Sequence, residues 1–191
     1  MIVALDLDNT LLEWQTHWAD LYGRWFGLGH TDPYEYITSF GPEEVDPLAE
    51  WDACLKYTHF ETIDQFYAWY DKANGWATQP WTVGAQGFLY ELDSHPHINY
   101  RFVTARPTDA GYIEAIQRVA PWGGNLSQRD NQSKHLVKAD IWVDDAPEVL
   151  ESLAANGKKA IRFAQPWNEG VEAFAVANSW ADVLTILKEN L

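Results

Sequence analysis

The sequence predicts an α/β fold in which a parallel β-sheet is flanked by helices. Its first strand is indicated by a continuous apolar run that leads directly into two aspartates, Asp6 and Asp8. A short apolar run of this kind is typical of a strand that is buried on both faces of a parallel sheet. Later strand-like runs alternate with helix-sized segments, which is the pattern of parallel strands joined by right-handed crossovers. The strand-like runs cover 2–6, 100–104, 140–144 and 159–164.

Helices are predicted between and after the later strands. Ile113, Ile116 and Val119 are spaced to form one apolar face of a helix near 108–120. Two further helix starts are indicated by Pro147, which suits a first turn, and by Ser179, which suits an N-cap.

The connection between the first two strands is unusually long. It spans roughly 80 residues, far more than a strand–helix connection needs, so we expect it to have structure of its own. We predict a helical cap over 13–96, inserted into a core formed by 1–12 and 97–191. A cap over the carboxyl end of the sheet would exclude water and select substrates. Residues with helical spacing in this insert are Trp14, Trp18, Leu21, Tyr22 and Trp25, then Ile63, Phe66, Tyr67 and Tyr70.

Composition narrows the class of partner. Thirteen basic against 28 acidic residues give a net charge of −15, which repels polyanions, so binding to duplex nucleic acid is not expected. One cysteine, Cys54, excludes an intrachain disulfide and fits a reducing compartment. No apolar run approaches the length of a membrane span, and the N-terminus lacks a basic signal-peptide region. We therefore expect a cytoplasmic protein without membrane association, and its oligomeric state is left open.

Two further features fall at strand ends that should lie beside the first strand, and a third lies between them in the sequence. Thr104, Ala105 and Arg106 follow the second predicted strand, and the adjacent acids Asp144 and Asp145 end a later one. A lysine at position 134 lies between them. Ligands of open α/β sheets bind at the carboxyl ends of the strands, so these groups are expected to meet at one edge. Each signal is weak alone, because strand-end threonines often serve turns and paired aspartates often cap helices.

The order of these motifs resembles that of the haloacid dehalogenase (HAD) superfamily of phosphohydrolases. The matching strings are DLDNT, TARP, a lysine and VDD. The resemblance implies a Rossmann-like core in which Asp6 is the nucleophile that forms an aspartyl-phosphate. It implies that Asp8 is the general acid and base, and that Thr104, Ala105 and Lys134 bind the phosphate.

The same resemblance implies a magnesium ion. Its ligands would be the Asp6 carboxylate, the main-chain carbonyl of Asp8 and most directly Asp145, with Asp144 in a supporting position. A metal is chemically required as well, because the nucleophilic carboxylate alone would repel a phosphate dianion. Phosphoryl transfer depends on neutralising the charge of the equatorial oxygens, and Mg²⁺ with Lys134 would supply that charge.

An aspartate two residues after the nucleophile resembles the phosphatases of this superfamily. The carboxyl-terminal segment, with Trp167 and Asn168, is similar to the 5′-nucleotidase branch that includes the 5′(3′)-deoxyribonucleotidases. That branch implies a small nucleotide substrate, for which Trp14, Trp18 and Arg106 are candidate contacts. At most of these positions, however, an aromatic residue of the insert is more often part of the core of the cap than a substrate contact.

Other functions stay open on the sequence alone. TARP also resembles motifs of polynucleotide 3′-phosphatases, and a sugar-phosphate phosphatase of the same superfamily fits as well. From another class, a phosphoacceptor signalling domain also gathers aspartates, a threonine and a lysine around magnesium. The Asp6–Asp8 pair on the first strand and the large insert favour the phosphatase.

Overall fold

The computed structural model describes residues 1–27 and 53–191. In these residues a six-stranded, all-parallel sheet has the order β3-β2-β1-β4-β5-β6, so the predicted α/β fold class is confirmed. β1 lies at the centre and pairs with both β2 and β4. The strands are β1 Ile2–Asp6, β2 Asn99–Thr104, β3 Leu126–Gln128, β4 Ile141–Asp144, β5 Lys159–Phe163 and β6 Ala175–Ala177.

Eight α-helices and three short 3₁₀ helices accompany the sheet in the described ranges. The part of the predicted cap over 28–52 lies outside those ranges. The α-helices are α1 Gln15–Trp25, α2 Ala53–Lys56, α3 Ile63–Lys72, α4 Gly75–Thr78, α5 Ala85–Asp93, α6 Asp109–Val119, α7 Pro147–Ala155 and α8 Trp180–Glu189. The 3₁₀ helices are Ala120–Trp122, Asn131–Leu136 and Pro166–Asn168.

Alternate residues of the central strands bury opposite faces of the sheet. Leu5 and Phe102 belong to a cluster with α5 and α8, whereas Ala4, Val103 and Trp142 pack with α7. This arrangement explains why the central strands are apolar throughout, because helices cover both of their faces.

α1 to α4 share a separate cluster that is mainly aromatic. Ring contacts link them directly: Phe66 lies edge-on to Trp14 and Trp18 and stacks on Tyr70. α5 differs, because its buried residue Phe88 packs in the sheet cluster. The cap boundaries of 13–96 stay a prediction, but an aromatic helical layer follows β1.

The predicted apolar face of α6 is wrong for two of its three residues, since only Val119 is buried as expected. Ile113 and Ile116 are exposed, and the buried face is formed by Gly111, Ala115 and Val119. A Cβ at Gly111 would lie 3.0 Å from the Trp76 ring, so the missing side chain permits the approach of α6 to α4. Close packing at a small residue overrides the hydrophobic periodicity here.

No helix in 1–27 or 53–191 combines the length and apolar character that crossing a bilayer requires.

The last helix offers a simple stability test. The Ser179 hydroxyl caps α8 by accepting a hydrogen bond from the main-chain N–H of Asp182 at 3.2 Å. We expect Ser179→Ala to lower the free energy of unfolding by about 1 kcal/mol, because one amide of the first turn loses its acceptor. Chemical denaturation would measure this, with Ser179→Asp as the variant that keeps an acceptor. Equal stability of both variants and the wild type would contradict the capping role.

Candidate active site

The carboxyl ends of β1, β2 and β4 bring the strand-end groups to one edge of the sheet. Asp6, Thr104 and Asp144 are the last residues of these three strands. The register aligns the ends, since Asp6 pairs with Val103 and Leu5 pairs with Val143. The parallel topology therefore gathers groups that are far apart in sequence, at the edge where such sheets bind ligands.

Three buried aspartates form a compact acidic cluster at this edge. Asp6, Asp144 and Asp145 each offer a carboxylate oxygen, and these oxygens lie within 4.8 Å of one another. Asp145 is oriented by donors on both oxygens: Thr10 Oγ1 donates to Oδ1 at 2.9 Å and Trp167 Nε1 to Oδ2 at 3.0 Å. The cluster is thus a preformed set of hard oxygen donors.

Lys134 joins two of these acids. Its Nζ donates to Asp6 Oδ1 at 2.6 Å and to Asp144 Oδ2 at 2.9 Å, and its side chain is only 3% exposed. Lys134 lies on the 3₁₀ helix Asn131–Leu136, which Asp130 caps by accepting a hydrogen bond from Ser133 N. A short capped helix therefore delivers a buried cation to the acids.

Burial and mutual repulsion shape the electrostatics of the cluster. Burial raises the pKa of Asp6 from 3.8 to about 7, although Lys134 opposes this shift. Burial, with the charges of Asp6 and Asp144, also raises the pKa of Asp145 well above its usual value. Burial alone would lower the pKa of Lys134, but Asp144 and Asp6 outweigh it and raise that pKa. Ionising these carboxyl groups is therefore unfavourable with one lysine as the counterion, and a bound cation would offset their repulsion.

Asp8 lies in the turn after β1 and faces the site from another side. Its side chain is 24% exposed and is contacted by Arg106 and Gln79. The turn depends on Asn9, which adopts the left-handed conformation (φ 60°) that asparagine tolerates. Asn9 Oδ1 accepts hydrogen bonds from the main-chain N–H groups of Trp14 and Gln15, so the turn leads directly into α1.

Of the predicted phosphate-binding residues, Ala105 and Lys134 line the cleft of the site, whereas Thr104 does not. Thr104 is fully buried, and its Oγ1 accepts a hydrogen bond from the main-chain N–H of Arg106 at 3.2 Å. Ala105 and Lys134 line a cleft of about 380 Å³ that Asp6 and Asp8 also line.

The predicted substrate contacts divide into different environments. Trp14 lines the cleft, and its buried indole N–H has no hydrogen-bond partner in 1–27 and 53–191. Trp18 is fully buried in the aromatic cluster and packs edge-on against Phe66, away from the cleft lining. Arg106 lines the cleft, but its guanidinium is directed at Asp8.

Several residues of the site were not singled out from the sequence. Gln79 is fully buried and donates to Asp8, but a lone glutamine carries no pattern that could have identified it. Thr10 could have been identified from the string DLDNT, in which it is the last residue. Trp76 was not singled out either, and it forms an aromatic wall of the cleft together with Tyr67 of the predicted helix face. Asn168, which the sequence did mark in the carboxyl-terminal segment, donates to the main-chain carbonyl of Asp145 at 2.8 Å.

Comparison with known proteins places this site in a family context. Residues 1–190 match the family model described as 5′ nucleotidase, deoxy (pyrimidine), cytosolic type C protein. A Chlorobaculum tepidum protein, provisionally named a 5′(3′)-deoxyribonucleotidase, is 25% identical over 98% of this chain and 90% of its own length.

Solved structures share the fold. A haloacid dehalogenase-like hydrolase from Streptococcus pneumoniae superposes with a TM-score of 0.63 at 17% identity, covering 97% of both chains. A HAD family hydrolase from Deinococcus radiodurans, solved with bound phosphate and sodium, has a TM-score of 0.63 at 16% identity. The latter superposition covers 98% of this chain and 95% of that chain.

Proposed function

The chain belongs to the cytosolic type C family of 5′-nucleotidases, within the HAD phosphatases. We propose that it acts as a phosphomonoesterase. The proposed reaction is Mg²⁺-dependent hydrolysis of a small phosphate monoester, a deoxyribonucleoside or ribonucleoside monophosphate, through an aspartyl-phosphate intermediate. One observation carries the proposal: Lys134 is bonded into the buried cluster of Asp6, Asp144 and Asp145, and Asp6 and Lys134 line one cleft together with Asp8.

The donor set fits magnesium. Mg²⁺ prefers oxygen ligands, and the cluster offers carboxylate oxygens from three buried aspartates. Asp6 and Asp145 would hold the ion together with the main-chain carbonyl of Asp8, with Asp144 supporting. When bound, the ion supplies positive charge that offsets repulsion between the carboxylates and the substrate phosphate.

In the first proposed step, a carboxylate oxygen of Asp6 attacks the phosphorus atom. The bond between phosphorus and the leaving oxygen breaks as Asp8 donates a proton to that oxygen, which releases the nucleoside alcohol. Lys134 neutralises charge on the phosphate oxygens, and Thr104 with the adjacent main chain positions the group.

In the second step, Asp8 takes a proton from a water molecule, and the water oxygen attacks the aspartyl-phosphate. Inorganic phosphate leaves and the Asp6 carboxylate is restored. The 24% exposure of the Asp8 side chain supports this role, because a group that alternately donates and accepts protons must reach both the substrate and water.

The cleft supports a small substrate. Its volume of about 380 Å³ lies in the range of small-ligand sites, roughly 300–1,000 Å³. Trp14, Tyr67 and Trp76 line the same cleft as Asp6 and Asp8, so a base could pack on aromatic surface while its phosphate meets Lys134. The net charge of −15 disfavours a polymeric substrate. The name of the Chlorobaculum relative points to the same substrate class.

We also propose a cytoplasmic location. A lone cysteine provides no intrachain disulfide, which fits a reducing compartment.

A phosphate-release panel tests this function. We expect activity on nucleoside monophosphates with Mg²⁺, loss of that activity with EDTA, and recovery when excess Mg²⁺ is added. Sugar phosphates and an oligonucleotide with a 3′-phosphate form the comparison arms. Ligand binding to the native state raises stability, so Mg²⁺ should also raise the melting temperature.

Several outcomes would contradict the proposal. Higher kcat/KM on the oligonucleotide would assign a polynucleotide 3′-phosphatase, and higher kcat/KM on sugar phosphates would assign that class. A phosphorylated protein that persists for minutes without turnover would indicate a phosphoacceptor domain instead.

A further inference from the structure

Arg106 is a buried arginine whose guanidinium donates to Asp8. Its side chain is 1% exposed. Nε donates to Asp8 Oδ2 at 3.0 Å and Nη2 donates to Asp8 Oδ1 at 2.8 Å, which forms a two-pronged ion pair. Nη2 also donates to Gln79 Oε1 at 2.7 Å, and Nη1 donates to the carbonyl of Gly111 at 3.2 Å.

Arg106 is held from both layers of the structure, by its guanidinium on the helical side and by its main chain on the sheet side. On the helical side it lies 4.7 Å from the ring centroid of Trp76, whose Nε1 is anchored by Asp71 at 2.6 Å. Gln79 closes a ring of hydrogen bonds with Asp8 and Arg106. Its Nε2 donates to Asp8 Oδ1 at 2.9 Å, and its Oε1 accepts from Arg106. On the sheet side, Gln128 fixes the main-chain carbonyl of Arg106 at 2.8 Å.

These contacts make substrate binding by Arg106 costly. To reach a phosphate, the guanidinium would have to leave Asp8, Gln79 and the Trp76 ring together. Removing one partner of a buried ion pair leaves the other charge uncompensated. The rigid planar fork of arginine suits a fixed, two-pronged contact with a carboxylate.

We propose that Arg106 is a positioning residue that acts through Asp8, with Gln79 as its partner, and that it does not bind substrate. This inference rests on the proposed function, in which Asp8 donates the proton to the leaving oxygen. The ion pair leaves Asp8 partly exposed to the cleft but fixes both carboxylate oxygens. Without Arg106, Gln79 would hold only Oδ1 of the carboxylate, the contact to Oδ2 would be lost, and the alignment for proton transfer would be impaired.

The test compares two esters that differ in their need for a proton. The leaving alcohol of a nucleoside 5′-monophosphate is strongly basic and must be protonated, whereas p-nitrophenolate leaves without a proton. The ratio kcat/KM reports the step in which this group departs. For Arg106→Ala we expect kcat/KM to fall about 100-fold on the nucleotide and less than about tenfold on p-nitrophenyl phosphate. The inhibition constant of inorganic phosphate should change less than about threefold, since no phosphate contact is lost.

Two further measurements separate positioning from folding. Guanidinium ion, at concentrations far below those that unfold proteins, should partly restore nucleotide hydrolysis by Arg106→Ala, because it can occupy the vacated space between Asp8 and the Trp76 ring. Methylammonium at equal ionic strength is the control. Arg106→Lys keeps the cation without the fork, and its nucleotide kcat/KM should lie between those of the wild type and Arg106→Ala.

Arg118→Ala is the matched control. Arg118 Nη2 donates to the carbonyls of Ala77 and Gln79 at 2.7 and 2.8 Å, so it also joins α6 to the helical layer without touching Asp8. Its loss should affect both esters equally and should not respond to guanidinium. Equal losses on both esters with Arg106→Ala, or a phosphate inhibition constant that rises in parallel, would overturn the positioning role. A wild-type protein that hydrolyses neither ester would contradict the proposed function itself, and the role of Arg106 with it.

Discussion

Asp6→Asn is expected to lower phosphate release by about 10⁴-fold or more, the size of effect seen when a covalent nucleophile is removed. The carboxamide keeps the shape of the side chain but lacks the anionic oxygen that would attack phosphorus. It also removes one charged donor from the acidic cluster. Phosphate release from the preferred nucleotide at saturating Mg²⁺ is the measurement.

Although the activity of this variant should fall, its stability should not. Burial raises the pKa of Asp6 to about 7, so the ionised carboxylate is disfavoured in the folded protein. A neutral carboxamide removes this cost, and Lys134 keeps its contact with Asp144. We therefore expect a melting temperature without Mg²⁺ that is no lower than that of the wild type, and a smaller increase when Mg²⁺ is added.

Asp109→Asn is the matched control for this prediction. Asp109 is an exposed aspartate at the start of α6, outside the cleft lining. The same substitution there should leave both activity and the Mg²⁺ response unchanged. An Asp6→Asn protein that is folded and retains the wild-type rate would rule out Asp6 as the nucleophile.

The elements that were predictable from sequence are those in which local pattern and tertiary burial agree. β1 could be predicted because both of its faces are covered, which makes the strand continuously apolar. The edge strands β3 and β6 have three residues each, too few to form a recognisable pattern. Membership of the HAD superfamily was predictable as well, because the motifs at the ends of β1, β2 and β4 are recognisable in the sequence. The family match confirms this prediction.

The parts of the site that were not predictable depend on contacts between distant segments. Gln79 lies 71 residues from Asp8, and nothing in its neighbourhood indicates that the two side chains meet. Trp14 and Trp18 share one predicted helix face, yet the first lines the cleft and the second is enclosed. Periodicity identifies a buried face, but it cannot tell which residue on that face borders a cavity. For the same reason the sequence suggested Arg106 as a substrate contact and gave no sign that its guanidinium meets Asp8.

Lys134→Met is expected to lower the free energy of unfolding by about 3–5 kcal/mol when no divalent metal is present. Lys134 is a buried cation that contacts Asp6 and Asp144, and methionine preserves much of its length but not its charge. Three buried carboxylates would then be left without the cation that joins two of them. Chemical denaturation in EDTA would measure the loss, and Lys138→Met, at an exposed lysine four residues along the chain, is the control.

The loss should depend on pH in a direction that follows from Asp6. Lys134 lowers the pKa of Asp6, so its removal moves the folded-state pKa further above the unfolded value of 3.8. A carboxyl group with a raised folded-state pKa binds protons more tightly in the folded protein, so stability falls as pH rises through that range. The difference between the variant and the wild type should therefore be larger at about pH 8 than at about pH 5, where Asp6 is protonated in the folded variant.

Magnesium provides the decisive comparison for this variant. If the acidic cluster is a metal site, Mg²⁺ should restore part of the stability lost in Lys134→Met, since the ion replaces a missing positive charge among the same carboxylates. Phosphate release should nevertheless stay low, because the lysine is proposed to neutralise the substrate phosphate as well as the acids. Recovery of both stability and rate with Mg²⁺ would show that Lys134 only balances the acids. A loss of stability that neither pH nor Mg²⁺ changes would mean that the contribution of Lys134 is packing rather than charge.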